Sequence, residues 1–372
     1  MAAQPLPDQH PASPQHEHHP EPANSNRPAS RKKLVRRQAR DYSQQLRLGF
    51  QLAFLLLNVW IGVQFYFWVR WAESGGQTLS VSRPAGVEGW LPIQGLMQLR
   101  YFLGSGRVPA MHAASFFLFA AFLLMSWLLR KSFCSWLCPV GTLSEYLWKL
   151  GRFIFRRNSD LPRWVDIPLR SLKYILLGLF GYAVATMSAS AIAEFISSPY
   201  GLVVDVRMLN FFRYLAGTAA YVILGLLIAS LFVQNFWCRY LCPYGALMGL
   251  AALVSPMRIV RTESACIDCA KCAKACPASL PVDKLVQIRS VECTGCLECV
   301  AVCPAKDALD VQIGAPVLGR TRRIPAWTVA AGVAIVFVGL VGYAKLSDHW
   351  DTRLPDRVYF QLVPAANEQQ HP

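Results

Sequence analysis

Five stretches of this sequence are longer and more apolar than a water-facing fold tolerates: Leu48–Val69, His112–Leu129, Leu169–Ala193, Leu215–Val233 and Ala326–Ala344. Each approaches or exceeds the ~18 apolar residues that a bilayer-crossing helix needs. Core helices of a soluble protein rarely run so long without a polar stripe, so all five are expected to span a membrane. The intervening segments sort by charge. Lys and Arg number 26 in residues 1–47, 130–168 and 234–325, against 8 in 72–111, 194–213 and 345–372. Five spans make these segments alternate sides, so the positive-inside rule places the N-terminus and 234–325 in the cytoplasm and the C-terminus outside it. The net charge of +15 then reads as topology and contact with lipid, not as nucleic-acid binding.

Residues 1–44 show no apolar h-region or small-residue cleavage site, so the first helix is expected to act as an uncleaved anchor. This segment holds His10, His16, His18 and His19 among Pro, Ser and Gln, a composition too polar to offset the entropy of ordering. It reads as a solvated tail, with metal loading by the His-rich tract as the alternative. The run RKKLVRRQAR that follows is expected to lie on anionic lipid.

Two further segments are near copies, FCSWLCPVGTL at 133–143 and WCRYLCPYGAL at 237–247. They stand 104 residues apart, each preceded by a helix, an outer loop and a second helix, so helices one and two are expected to repeat as helices three and four. An even-numbered repeat keeps its orientation, which relates the halves by an axis along the membrane normal and brings both thiol pairs to the cytoplasmic side. Residues four apart share a helix face, so Cys134 and Cys138 can point together, as can Cys238 and Cys242. Three readings stay open: an extra metal or redox centre, dithiol–disulfide chemistry, or inert packing. The matched registers disfavour the last.

Between helices four and five lie CIDCAKCAKACP (266–277) and CTGCLECVAVCP (293–304). Each is C-x2-C-x2-C-x3-C-P, in which three cysteines wrap one four-iron cluster and the fourth ligates the other. Cys266, Cys269, Cys272 and Cys303 are therefore assigned to one [4Fe–4S] cluster, and Cys293, Cys296, Cys299 and Cys276 to a second. Two complete runs with both prolines exceed what structural zinc uses, and a cytoplasmic segment disfavours disulfides. No phosphate-binding loop or Ser/His/Asp set accompanies them, so the segment reads as an electron relay.

The outer loops at 83–102 and 198–215 place Arg83, Glu88, Asp205 and Arg207 near membrane depth, and His112 opens the second helix. Oxidising a quinol requires groups that accept two protons, which makes His112, Glu88 and Asp205 candidate quinone-site residues. His112 titrates in the right range. Trp90 and Tyr101 read as interfacial anchors.

Over residues 45–350 the combination of two CxxxCP motifs with a two-cluster ferredoxin segment resembles the polytopic membrane ferredoxins of the NapH type, related to the C-terminal part of the NosR type. The resemblance implies a multi-pass protein of a bacterial inner membrane that moves electrons between the quinone pool and a respiratory reductase, ferredoxin-like or cytochrome partner. The copper-oxidase assembly proteins of the CcoG type share the plan, but the large extra-membrane C-terminal domain associated with them is missing from the 28 residues after helix five. The flavin-binding domain of the NosR type is missing too, so no covalent flavin is implied. The expected fold is an all-α polytopic protein with an inserted α+β dicluster domain. It divides into a tail (1–44), a four-helix membrane domain (45–262), the ferredoxin domain (263–314), the fifth helix (315–345) and a short periplasmic tail (346–372). The expected function is membrane-bound iron–sulfur electron transfer, with quinol dehydrogenase-type chemistry in view. The alternative is an assembly, metal-reducing or regulatory factor for a respiratory enzyme. A transporter is disfavoured by the scarcity of charge inside the helices.

Overall fold

The computed structural model describes residues 41–156, 161–314, 322–352 and 354–371; the expectations for the His-rich tail and the basic run lie outside them. The chain opens with α1 (Ser43–Glu73), 31 residues long, or about 46 Å at ~1.5 Å per residue. Its Leu52, Leu56, Trp60 and Val63 face outward while Phe65, Trp68, Val69 and Ala72 are buried. A 3₁₀ turn at Ala85–Trp90 leads into α2 (Pro92–Ser105), α3 (Ala113–Leu128), the short α4 (Ser132–Trp136) and α5 (Pro139–Phe155). Next come α6 (Arg163–Thr186), α7 (Ala189–Ser197), α8 (Pro199–Leu202), α9 (Val204–Arg213) and α10 (Gly217–Phe232). A π-helical turn at Trp237–Leu241 precedes α11 (Pro243–Leu253).

Among the described residues, three helices are long and apolar enough to cross a membrane, Ser43–Glu73, Trp164–Thr186 and Trp327–Leu346. The count is four if α9 and α10, bent by 80°, form one broken span. The expected five are therefore not reached by length. The second expected span, His112–Leu129, forms only the 16-residue α3, which starts after a left-handed His112. That is about 24 Å of helix, short of the ~30 Å hydrocarbon core. The reason is burial: α2, α11 and the last long helix, α14 (Trp327–Leu346), pack around α3, and a helix apolar on every side belongs to the interior as readily as to lipid. The third expected span breaks at Met187 between α6 and α7.

The inserted domain is a four-stranded antiparallel sheet of order β2-β1-β3-β4, with β1 Met257–Arg261, β2 Gln287–Ile288, β3 Leu309–Ile313 and β4 Arg322–Ile324. Two short helices, α12 (Lys271–Ala275) and α13 (Glu298–Ala301), each carry the third cysteine of a run, Cys272 and Cys299. Ile259 pairs with Val311 and Met257 with Ile313. Met257, Ile259, Leu309 and Val311 share one core with Phe122, Met125, Trp136 and Met248 of the helices. Alternating burial along β1 and β3 thus fixes the register and seats the sheet on the helical bundle.

Side chains complete this seat. Gln44 Nε2 donates to the Cys296 carbonyl (2.9 Å), Ser135 Oγ to Thr294 (2.7 Å), Trp136 Nε1 to Gly295 (3.2 Å) and an Arg130 guanidinium nitrogen to Ser290 (2.9 Å). Lys173 of α6 meets Glu292 at 2.6 Å, with the side chains 1% and 11% exposed. Arg47 grips Glu145 at 2.9 Å and Glu298 at 2.5 Å. At the far end of α1, Trp68 and Val69 pack with Tyr359 and Val363 from the C-terminal α15 (Asp356–Leu362) and beyond. The stretch expected to be a short tail is thus folded against the membrane helices.

Because Lys131 also faces Glu292, Lys173→Met is expected toward the lower end of the about 3–5 kcal/mol that breaking a buried pair costs. Lys173→Met/Glu292→Leu should recover most of it, and thermal unfolding in detergent, followed by circular dichroism, would separate the two. Equal destabilisation of both variants would remove the pair from the account.

Candidate iron–sulfur centres

The two cysteine runs adopt the same backbone. In CIDCAKC the left-handed residues are Asp268 and Ala270, and in CTGCLEC they are Gly295 and Leu297, the same positions in each. Only glycine takes this conformation freely; elsewhere it costs about 1–2 kcal/mol per residue, so a wrap repeated with three non-glycine residues has a job other than chain reversal. The structure brings Cys303 beside Cys266 and Cys269, and Cys272 beside Cys303. It brings Cys276 beside Cys293 and Cys296, and Cys299 beside Cys293, Cys296 and Cys276. The groups cross between the runs, as two-cluster ligation requires. Backbone amides of Ala278 and Leu280 point at Cys276, the kind of donor that tunes cluster sulfurs.

Among the described residues, no three His, Cys, Asp or Glu side chains close on a single ion. One zinc gathers its ligands at about 2.0–2.3 Å, whereas a four-iron cluster takes one sulfur per iron on a wider frame. The residues present therefore fit a cluster better than an ion. The two sites also differ in exposure. Cys269 is exposed and Cys266, Cys272 and Cys303 half-buried, while Cys293, Cys296 and Cys299 are buried beneath the loop that α1, α4 and α6 hold.

The CxxxCP segments meet as well. Cys138 and Cys242 cap α5 and α11, each followed by Pro at the first helical position, where a missing N–H costs nothing. Each sulfur accepts from the glycine amide three residues on, Gly141 N at 3.5 Å and Gly245 N at 3.2 Å. Electrostatic contacts join Cys134 to Cys242, Cys138 to both, and Cys238 to all three. Burial pushes the Cys134 thiol up to about 11 and Cys138 up to about 12. Neither is a ready thiolate by itself. All four cysteines line a cavity of about 1100 Å³, which Lys131, Cys296, Trp90 and Arg83 also line.

At the opposite end, Arg83 lies 2.9 Å from Glu88 and 2.6 Å from Asp205. His112 Nδ1 lies 3.0 Å from Glu88 Oε1 and 3.3 Å from Arg83 Nη2. The three candidate quinone-site residues therefore form one buried network with Arg83. His112 Nε2 is buried with no hydrogen-bond partner among the described residues. Burial alone would raise the Glu88 carboxyl, but His112 and Arg83 more than offset it and hold it below the usual carboxylate range. Its contribution to stability is present above about pH 4 and is lost as pH falls through the lowered value. Arg207, read from the sequence as a member of the same outer group, instead donates to the Ala366 and Gln369 carbonyls. Thr352, which accepts from the His112 amide at 2.9 Å, carried no sequence motif. Neither did Lys131; its position three residues before Cys134 was the one available signal.

Crossed cysteine wraps seated on apolar helices define a membrane-anchored iron–sulfur protein. A model of a 4Fe-4S binding domain matches twice, at residues 111–158 and 215–261, and one of a 4Fe-4S dicluster domain matches residues 258–304. YccM, a proposed electron transport protein of Escherichia coli (strain K12), is 48% identical over 321 residues, covering 86% of this chain and 90% of YccM. The ferredoxin-type protein NapH of the same organism is 26% identical over 256 residues, 66% of this chain and 79% of NapH. Regulatory protein NosR of Pseudomonas aeruginosa is 31% identical over 149 residues, 40% of this chain and 20% of NosR. No solved structure matches. The chain belongs to the NapH/NosR-type membrane ferredoxin family.

A Cβ on Gly141 would collide with the Cys134 carbonyl, whereas one on Gly245 would meet Cys242 Sγ at an ordinary 3.5 Å. Gly141→Ala should therefore cost about 1–3 kcal/mol by overpacking, and Gly245→Ala should be close to neutral. Melting midpoints of the two variants in detergent check this; equal shifts would refute the close approach.

Proposed function

We propose that the chain is a membrane-bound electron-transfer protein linking the quinone pool to a respiratory redox partner through two [4Fe–4S] clusters. Cys266, Cys269, Cys272 and Cys303 hold one, and Cys293, Cys296, Cys299 and Cys276 the other. When bound, the clusters supply one-electron storage. The observation that carries the reading is the graded burial of the two cysteine groups. One reaches solvent at Cys269, where a soluble partner docks, and the other is pressed against the membrane helices.

The names of the relatives, a proposed electron transport protein and a ferredoxin-type protein, agree with it. The positive-inside count puts the ferredoxin segment in the cytoplasm and the C-terminus in the periplasm of a bacterial inner membrane. In support, α1 touches Cys296 through Gln44 at its start and α15 near its end. Likewise α3 runs from the His112 network to the Arg130–Ser290 contact. Five crossings joined by a two-helix repeat fit this arrangement, and the twice-matched family model, offset by 104 residues, supports the repeat.

The quinone site lies at the outer network. A quinol that becomes a quinone releases two protons and two electrons. His112 Nε2 is the unpartnered atom able to take a proton, and Glu88 at 3.0 Å stabilises the imidazolium that results. Arg83 pairs with both Glu88 and Asp205, and Asp205 is assigned the second proton. The cavity that Arg83 shares with the inner cysteines gives a lipid-soluble ring a path between the network and the electron acceptors.

The test is quinol-driven reduction followed by low-temperature electron paramagnetic resonance on purified protein. His112→Asn removes Nε2 yet tolerates the left-handed backbone, and it should slow reduction by about 10²–10⁴-fold while leaving dithionite reduction unchanged. Protein without iron would overturn the electron-transfer reading. Clusters present in both proteins but indifferent to quinol would overturn the quinone site and move the reading to a regulatory or assembly role, which the likeness to regulatory protein NosR favours.

A further inference from the structure

Four thiols remain outside the ferredoxin runs, and they come from segments 104 residues apart. We infer that Cys134, Cys138, Cys238 and Cys242 jointly hold one further [4Fe–4S] cluster, shared between the two CxxxCP segments rather than one per segment. The inference rests on the iron–sulfur reading above and extends it to a site on the membrane side of the ferredoxin domain.

Three independent features converge on this site. All four cysteines line a single cavity, as does Cys296 of the neighbouring group. Each segment supplies a glycine amide aimed at its second sulfur from a helix N-terminus, where negative charge on sulfur is stabilised. Lys131 is the third feature. It is 4% exposed, it lines the same cavity, and its ammonium makes no hydrogen bond or ion pair among the described residues. The charges it faces are Cys134, Glu292, Cys242 and Cys238, and Glu292 is already held by Lys173. A buried ammonium is costly without a compensating anion, and a cluster on four thiolates is such an anion.

The rival readings fit less well. A single metal ion would need three donors closing on one point, which is not the arrangement among the described residues. Disulfide exchange needs an accessible thiolate, but all four thiols are half-buried, and Cys134 and Cys138 pack against the core that holds Phe133 and Tyr244. Both halves fall within segments matched by the 4Fe-4S binding domain model, and the convergence explains why one site would need both.

The experiment is iron and acid-labile sulfide analysis with Mössbauer spectroscopy on three purified full-length proteins: wild type, Cys138→Ser/Cys242→Ser, and Lys131→Met. Wild type should carry about twelve irons per chain and the double variant about eight, with the spectrum of the two ferredoxin clusters retained as the control for folding. In Lys131→Met the extra centre should remain but become harder to reduce. At a fixed potential its oxidised-to-reduced ratio should rise about tenfold, or 59 mV for a one-electron couple, and Lys131→Arg should restore it. Eight irons in wild type, or no loss in the double variant, would overturn this inference and leave the two-cluster reading standing. No iron at all would overturn both. An extra centre with an unchanged potential in Lys131→Met would strike out the role of Lys131.

Discussion

The second cysteine run is held to the helices through its backbone carbonyls, and the rest of the architecture follows from that attachment. Four carbonyls, those of Ser290, Thr294, Gly295 and Cys296, accept hydrogen bonds from Arg130, Ser135, Trp136 and Gln44. A loop that wraps a cluster turns its amides inward to the sulfurs, so its carbonyls face outward and need partners. The membrane helices supply those partners. Lys173–Glu292 and Arg47–Glu145–Glu298 then surround the loop with paired charges. These pairs set position more than they add stability, since buried ion pairs often roughly break even against apolar replacements. A relay gains from position, because its stations must keep fixed separations.

Charge is arranged differently at the two ends. At the inner end four cations, Lys131, Lys149, Lys173 and Arg47, stand against three carboxylates, Glu292, Glu145 and Glu298. At the outer end one guanidinium serves two carboxylates and a histidine. The first arrangement suits sites that become more negative on accepting electrons. The second leaves carboxylates and an imidazole nitrogen with capacity for protons. One cavity is lined by Arg83 of the outer network and by the four CxxxCP cysteines of the inner end.

What was legible in the sequence was local. The spacing of the two ferredoxin runs dictates a wrap within seven residues, and the structure repeats its left-handed positions in register. The CxxxCP pairs were legible as a duplication because both lie next to an apolar run. His112, Glu88 and Asp205 were singled out one by one; that Arg83 ties them together was not visible, because Arg83 and Asp205 stand 122 residues apart. The same holds for Gln44 with Cys296 and Lys173 with Glu292, separated by 252 and 119 residues. The count of five spans is not reached by helix length for a different reason. Lipid and a protein interior both select apolar side chains, so the sequence of α3 reads as a span although its neighbours, not only lipid, surround it. The last 28 residues read as a tail because α15 is a short helix whose burial comes from α1.

The two CxxxCP segments are alike without being equal, and the ferredoxin domain accounts for the difference. With the offset of 104, Lys131 corresponds to Asn235, Ser135 to Arg239, Trp136 to Tyr240 and Glu145 to Gly249. The first copy grips the cysteine loop with Ser135 and Trp136, and its Glu145 holds Arg47 beside the loop. The second meets it by close approach, for a Cβ on Gly249 would come within 2.8 Å of the Val291 carbonyl. One copy therefore supplies hydrogen bonds and the other supplies room. A symmetric pair could not do both, since two bulky copies would lift the loop away and two small ones would leave its carbonyls unbonded. Asp166 shows the second copy taking up a separate duty, accepting from Tyr240 at 2.6 Å and pairing with Arg239 at 2.9 Å. That contact fastens the π-helical turn bearing Cys238 to α6, the helix whose Lys173 holds Glu292 on the cysteine loop. The thiols of both copies are thereby referred to one frame despite the loss of symmetry around them.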